Sequence, residues 1–149
     1  MWEPYLRAVL PETTAAHRQR LESLLGHPLP DRYWSLAMAH QGEGLDEDSM
    51  ADPQFASLIL LLVLPPEEVS PDEVSYCVET CWQNTRDYHP TGLLPFADDT
   101  GGNLWAFDAR THPEDPAIVF IDHELAGDDG ITPVAPSFDA FMAMIEAGS

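Results

Sequence analysis

Four groups of residues carry side chains that could do chemistry at the spacing they have. Cys77 and Cys81 stand four apart, so a helix aims both thiols the same way. Two thiols are not a zinc site, and no paired cysteine or histidine cluster supplies the other ligands. They also continue an apolar stripe with Val74, Val78 and Trp82, which predicts buried structural thiols. Asp99-Thr100-Gly101 has the form of an aspartic-protease triplet, but that chemistry needs two facing aspartates and the chain has one triplet. Asp98, Asp99, Asn103 and Asp108 offer oxygens to calcium without the alternation of a calcium loop. Turn chemistry accounts for them better, since Asp and Asn bond nearby backbone and Gly101-Gly102 permit positive φ. Asp122-His123-Glu124 has the makings of an acid–base cluster, yet successive strand residues point to opposite faces. Gly-x-Ser-x-Gly and His-Glu-x-x-His are both missing. The sequence therefore predicts no catalytic residue, no metal site and no cofactor.

The elements that must position these residues change character along the chain. Residues 12–25 read as a helix with Leu21, Leu24 and Leu25 on one side and Gly26 as its stop. Pro30 suits the first turn of a second helix, where Tyr33, Leu36, Ala37 and His40 follow at helical spacing and Gly42 ends it. Residues 43–53 are acidic and small, a predicted loop. Residues 57–64 are an apolar run closed by Pro65-Pro66, short enough for a buried strand, with a helix as the alternative. Ser70-Pro71-Asp72-Glu73 has the order cap, proline and two acids, and predicts a helix carrying the cysteine stripe. Residues 93–98 and 103–108 flank Asp99-Thr100-Gly101-Gly102, a hairpin at 93–108. Residues 117–121 are apolar and β-branched, a central strand, and 126–130 form an acidic glycine loop. Ser137 caps a last helix with Phe138, Phe141, Met142 and Ile145 on its core side. N-terminal helices, a central mostly antiparallel sheet and a C-terminal helix give an α+β fold class, with 1–149 as a single domain.

Charge restricts function further. The 149 residues hold 26 acidic and 6 basic side chains, a net charge of −20, while 44% are apolar, as in an ordinary globular chain. Every basic residue is an arginine (Arg7, Arg18, Arg20, Arg32, Arg86, Arg110) and there is no lysine. This excludes a Walker-type phosphate loop, Schiff-base catalysis and a pyridoxal anchor. No basic footprint for direct nucleic-acid binding can be assembled. The apolar run at 56–64 is about half a membrane span. Met1-Trp2-Glu3-Pro4 is acidic where a secretory leader would be basic. A soluble, cytoplasmic protein is expected, with no membrane contact.

Three stretches, taken in order, resemble the SUKH superfamily, which includes fungal cell-wall-assembly regulators and bacterial immunity proteins of polymorphic toxin systems. Leu29-Pro30-Asp31-Arg32-Tyr33-Trp34 through His40-Gln41-Gly42 is similar to its Leu-Pro-x-x-Tyr helix closing on Asn-Gly. Phe96-Ala97-Asp98-Asp99-Thr100-Gly101-Gly102, followed by Trp105 and ending on Asp108, is similar to its central hairpin. Ser137-Phe138-Asp139-Ala140-Phe141 is similar to its terminal Ser-Phe-x-x-Phe helix. Gln41 departs from the pattern by replacing the asparagine, while Gly42 still suits the helix end. The apolar run at 57–66 is richer than the pattern leads one to expect.

The resemblance implies a binding module rather than an enzyme. The reading it favours is an immunity protein that neutralises a cognate toxin by occluding it; the alternative is an intracellular scaffold or regulatory module without a toxin. Some such toxins are nucleases with basic surfaces, toward which an acidic inhibitor is steered. Candidate partner-binding residues are therefore the loop acids Glu43, Asp46, Glu47 and Asp48, the turn acids Asp98 and Asp99, and Asp128 and Asp129.

Overall fold

The computed structural model describes residues 2–6, 9–46, 55 and 57–146. Seven strands form one antiparallel sheet in chain order: β1 (Trp2–Pro4), β2 (Glu43–Leu45), β3 (Ile59–Leu60), β4 (Leu93–Asp98), β5 (Leu104–Asp108), β6 (Ala117–Ile121) and β7 (Ile131–Ala135). The helices are α1 (Ala15–Leu25), α2 (Asp31–His40), α3 (Val78–Tyr88) and α4 (Phe138–Glu146). The α+β class and the 93–108 hairpin are as the sequence predicts. Both edge strands carry a proline, Pro4 and Pro133, which lacks the N–H that a further strand would pair with.

The three motif stretches converge on one core. Tyr33 of α2 lies edge-on to Phe96, Phe107 and Phe138, with ring centroids 5.8, 5.0 and 5.7 Å away. Phe96 also meets Phe141 at 5.5 Å, and Phe55 joins Phe141 to Trp105. Leu29 and all these rings are buried. Edge-to-face rings add specificity to the area they bury, so residues more than a hundred positions apart are locked in one register. Ser137 caps α4 by accepting from Ala140 N at 3.1 Å, and Phe138, Phe141, Met142 and Ile145 are all buried.

Several local expectations are corrected. Residues 43–53 were expected to be loop, but Glu43–Leu45 is β2, inserted between β1 and β3. Acidic composition hid it, although two of its three residues, Gly44 and Leu45, are buried. Pro30 precedes α2 as its cap instead of entering its first turn, and α1 starts at Ala15. The helix expected from Ser70 is broken: a 3₁₀ segment Pro71–Tyr76 ends at Cys77, whose backbone is extended (φ −79°, ψ 138°), and α3 starts afresh. Cys77 is pulled out of helix by a parallel bridge with Leu62: Leu62 N donates to Tyr76 O at 2.8 Å and Val78 N to Leu62 O at 2.9 Å. Ser70 makes no side-chain cap. Gly127–Gly130 is a 3₁₀ turn, and β7 after it went unpredicted because Pro133 breaks its pattern.

From Leu58 onward the apolar run proves to be extended and inside. Only Ile59–Leu60 is regular strand, but Leu58 through Leu64 are all buried. Its backbone is gripped from both sides, by Gly42 N on Leu60 O and by Leu61 N on Phe96 O. An interior strand covered on both faces needs apolar residues at every position, not at alternate ones.

Candidate functional site

Four of the described arginines tie elements of the fold together through ion pairs. Arg18 of α1 bonds Glu22, the Leu29 carbonyl and Asp31 at 3.3, 2.7 and 2.7 Å, fixing the α1–α2 corner. Arg20 bonds Glu67 at 2.6 Å and the buried Glu79 of α3 at 2.8 Å. Arg32 of α2 reaches Asp139 and Glu146 of α4. Arg110 grips Asp108 through Nε and Nη2, both at 2.9 Å, and Asp128 through Nη1 at 3.1 Å. This clamp holds the Asp108 carboxyl below its usual range. Arg86 lies over the Trp82 ring at 4.6 Å. Guanidinium suits these tasks because its planar fork bonds two carboxylates or two oxygens at once. Among the described acids, Glu3, Glu12, Asp72, Asp87, Glu114 and Asp115 are exposed.

One cavity of about 460 Å³ opens between α3 and the sheet. The sheet face it uses is the one bearing Leu93, Leu104, Ala106 and Ile121, opposite the aromatic core. Its floor is Leu104 and Ile121; α3 supplies Cys81, Asn84, Thr85 and Tyr88, followed by His89; Asp98, Gly102 and His123 close one end. His89 Nε2 bonds the Leu125 carbonyl at 2.9 Å, so that nitrogen carries the proton. Burial lowers the His89 pKa and keeps the ring neutral. Nδ1 is therefore a bare acceptor, buried and without a partner among the described residues. Asp98 accepts Thr100 N at 2.7 Å, and its burial raises its carboxyl pKa. At the mouth, Tyr88 is 70% exposed.

The turn joins this cavity to the loop after β6. Asp99 Oδ1 accepts from Gly101 N and Asn103 N at 2.8 and 3.0 Å, and Oδ2 accepts from Asn103 Nδ2 at 2.9 Å. Asn103 Oδ1 in turn accepts from His123 N and lies 2.7 Å from His123 Nδ1. Asp99 thus shapes the turn, as its chemistry predicts. The positive φ falls on Thr100 (67°) and Gly102 (96°), whereas Gly101 does not need it. A Cβ on Gly102 would come within 3.1 Å of the His123 ring. Asp122, His123 and Glu124 do not converge: Asp122 Oδ1 accepts from Glu124 N, and His123 turns to Asn103.

The candidate partner-binding acids divide accordingly. Asp98 and Asp99 sit on the cavity's closing turn. Asp128 and the exposed Asp129 follow Leu125 in the loop that holds His89. Glu43 is half-buried in β2 against His40 Nδ1 at 2.9 Å, and Asp46 follows that strand. Register places Gly44 beside Ile59 and Ile59 beside Asp98, so β2 ends toward the same sheet end as the turn. Glu47 and Asp48 lie outside the described residues.

Cys77 and Cys81 are buried, as the stripe predicts, and their thiols point to the carbonyls of Glu73 and Ser75. Burial, with nearby carboxylates second, pushes Cys77 up to about 11 and Cys81 to about 12. Among the described residues, no three His, Cys, Asp or Glu side chains gather as a metal site, and no helix is long and apolar enough to cross a membrane. Sequence reasoning missed His89, Glu79 and the cavity itself. Glu79 carried a faint signal, an acid within a mainly apolar stretch facing a second helix with spare arginines. His89 carried none.

Fold and cavity together define an α+β protein on a seven-stranded meander, with its aromatic core on one sheet face and a partly polar recess on the other. The chain belongs to the SMI1 / KNR4 family (SUKH-1), whose family model matches residues 12–144. No curated protein and no solved structure matches it.

Proposed function

We propose that this protein is a non-enzymatic, cytoplasmic immunity protein that neutralises a cognate polymorphic toxin by binding and occluding it. The observation that carries the reading is the disposition of charge. Arg18, Arg20, Arg32 and Arg110 are spent on ion pairs between elements, and in a chain of net charge −20 Glu3, Glu12, Asp72, Asp87, Glu114, Asp115 and Asp129 are left exposed. Such a surface attracts a basic partner, for which a nuclease domain is the best candidate, and repels nucleic acid itself. Family membership supports a protein-binding role of this kind.

The test is co-expression with the toxic C-terminal domain of a large secreted protein encoded directly upstream. Protection of growth, with a stoichiometric complex whose association slows as salt rises, is expected. Growth arrest undiminished by this protein, with no complex formed, would sink the reading. A salt-sensitive complex with a host protein in its place would favour the scaffold or regulatory role.

A further inference from the structure

We propose that a basic protein, the toxin, docks along a tyrosine-bordered depression that runs from Tyr5 past the 99–102 turn to Tyr88 and is rimmed with carboxylates. The inference deepens the immunity reading and rests on it for the identity of the partner. The placement of tyrosine carries it. The chain has four tyrosines; Tyr33 is sealed in the core, and the other three all border this depression. Tyr76 and Tyr88 line the cavity of about 460 Å³ between α3 and the sheet. Tyr5 lines a neighbouring recess of about 240 Å³ with Pro4, Gly44, Ile59 and Thr100. Two contacts join the recesses. The Tyr5 and Tyr76 rings meet edge-on at 6.0 Å, and Thr100 N donates at 2.7 Å to Asp98, which lines the larger one.

Exposure singles out the same surface. Among the described residues five large apolar side chains are exposed, and three of them, Tyr5 (47%), Tyr88 (70%) and Leu125 (48%), adjoin the depression. Leu125 is brought beside Tyr88 because its carbonyl accepts from Nε2 of the next residue, His89, at 2.9 Å. Tyrosine suits an interface because its ring gives contact area at little entropic cost while its hydroxyl is content in water. Charge then selects the partner. Glu3 precedes Tyr5, Asp87 precedes Tyr88, and Glu124 and Asp129 flank Leu125 in its loop, all exposed, with the half-buried Asp98 between the two ends. No arginine lines either recess. An aromatic middle with acidic ends complements a basic protein surface carrying an apolar anchor, and repels both nucleic acid and a second copy of a chain of charge −20. The rim is also preformed. Asp122 N bonds Gly130 O at 2.7 Å and Leu125 N bonds Asp122 O at 3.2 Å, closing the 122–130 loop that His89 ties to the end of α3. Little ordering is left for the partner to induce.

The probe is the peptide acetyl-Arg-Leu-Arg-Leu-Arg-amide, titrated into the whole protein and followed by backbone amide NMR, with acetyl-Glu-Leu-Glu-Leu-Glu-amide as the reversed charge. Saturable shifts at Tyr5, Tyr76, Tyr88, Gly102 and Leu125, weakened by added salt, are expected with the basic peptide only. Tyr88→Ala combined with Leu125→Ala, both at exposed positions, should weaken the response roughly tenfold. Asp87→Asn combined with Glu124→Gln should weaken it several-fold. Met38→Ala removes a comparably exposed apolar side chain outside both recesses and should change nothing. Shifts spread equally over Glu12, Glu114 and Asp115, an equal response to the acidic peptide, or indifference to both double variants would overturn the surface. In the growth assay the Tyr88/Leu125 variant should lose protection and Met38→Ala should keep it. Full protection by the first would overturn the surface and leave the immunity reading standing. The titration needs no toxin, so it decides the surface even where no toxin complex forms and the immunity reading fails.

Discussion

Gln41 Oε1 accepts the backbone N–H of Val63 at 3.0 Å, and the same amide donates from Nε2 to Thr13 Oγ1 at 2.7 Å. One side chain at the end of α2 thus satisfies the buried apolar run and pins the segment leading into α1. The extra methylene over asparagine gives the amide its reach. Gln41→Ala leaves the Val63 N–H without its acceptor and should cost about 1–3 kcal/mol in urea unfolding. An unchanged midpoint would show that the bond is not holding the run.

Tyr33 is fully buried, and its hydroxyl has no partner among the described residues. Burial alone raises its pKa far beyond the physiological range, so the group is inert as an acid. Tyr33→Phe keeps the three ring contacts and removes an unpaired polar atom. Stability should stay level or rise by about 1 kcal/mol. A loss of stability on thermal melting would mean the hydroxyl has a partner in solution.

Gly102 and Gly101 should differ sharply. Gly102→Val meets both a positive φ and the His123 ring, and should cost about 1–3 kcal/mol. Gly101→Val meets only the Asp99 carboxylate, at 3.4 Å, and should cost under about 1 kcal/mol. Equal melting of the two variants would contradict the turn geometry.

His89 makes stability depend on pH. Its pKa is lowered in the folded protein from the ordinary 6.5. The unfolded chain therefore binds the proton first as pH falls, and the contribution of His89 is present above about 6.5 and lost as pH drops through the folded value. Urea unfolding at stepped pH should show this decline in the native protein and less of it in His89→Gln. A decline of the same size in both would assign it to other groups.

The two thiols should resist modification. Burial disfavours the thiolate at Cys77 and Cys81, and the thiolate is the reactive form. Both should label slowly with a thiol reagent in the native protein and quickly in urea. Fast native labelling of Cys77, which is fully buried, would contradict its packing.

Local chemistry settled much of this protein in advance. The hairpin follows from Asp99 and the glycine turn, α4 from the Ser137 cap and its stripe, and the excess acid from a chain with six arginines and no lysine. Each depends on residues within one turn or one strand pair, where spacing alone fixes which faces meet. What escaped are features made by distant contacts. Cys77 leaves the helix because Leu62 competes for its neighbours' backbone, and β2 exists because β1 and β3 pair with it on either side. His89 becomes a buried, one-sided acceptor only because the loop after β6 folds against it, and Asp98 becomes the end of a cavity only because α3 crosses the sheet there. Nothing in the spacing of His89 or Asp98 says which groups will face them, since a side chain's protonation and partners belong to the assembled environment and not to its own segment.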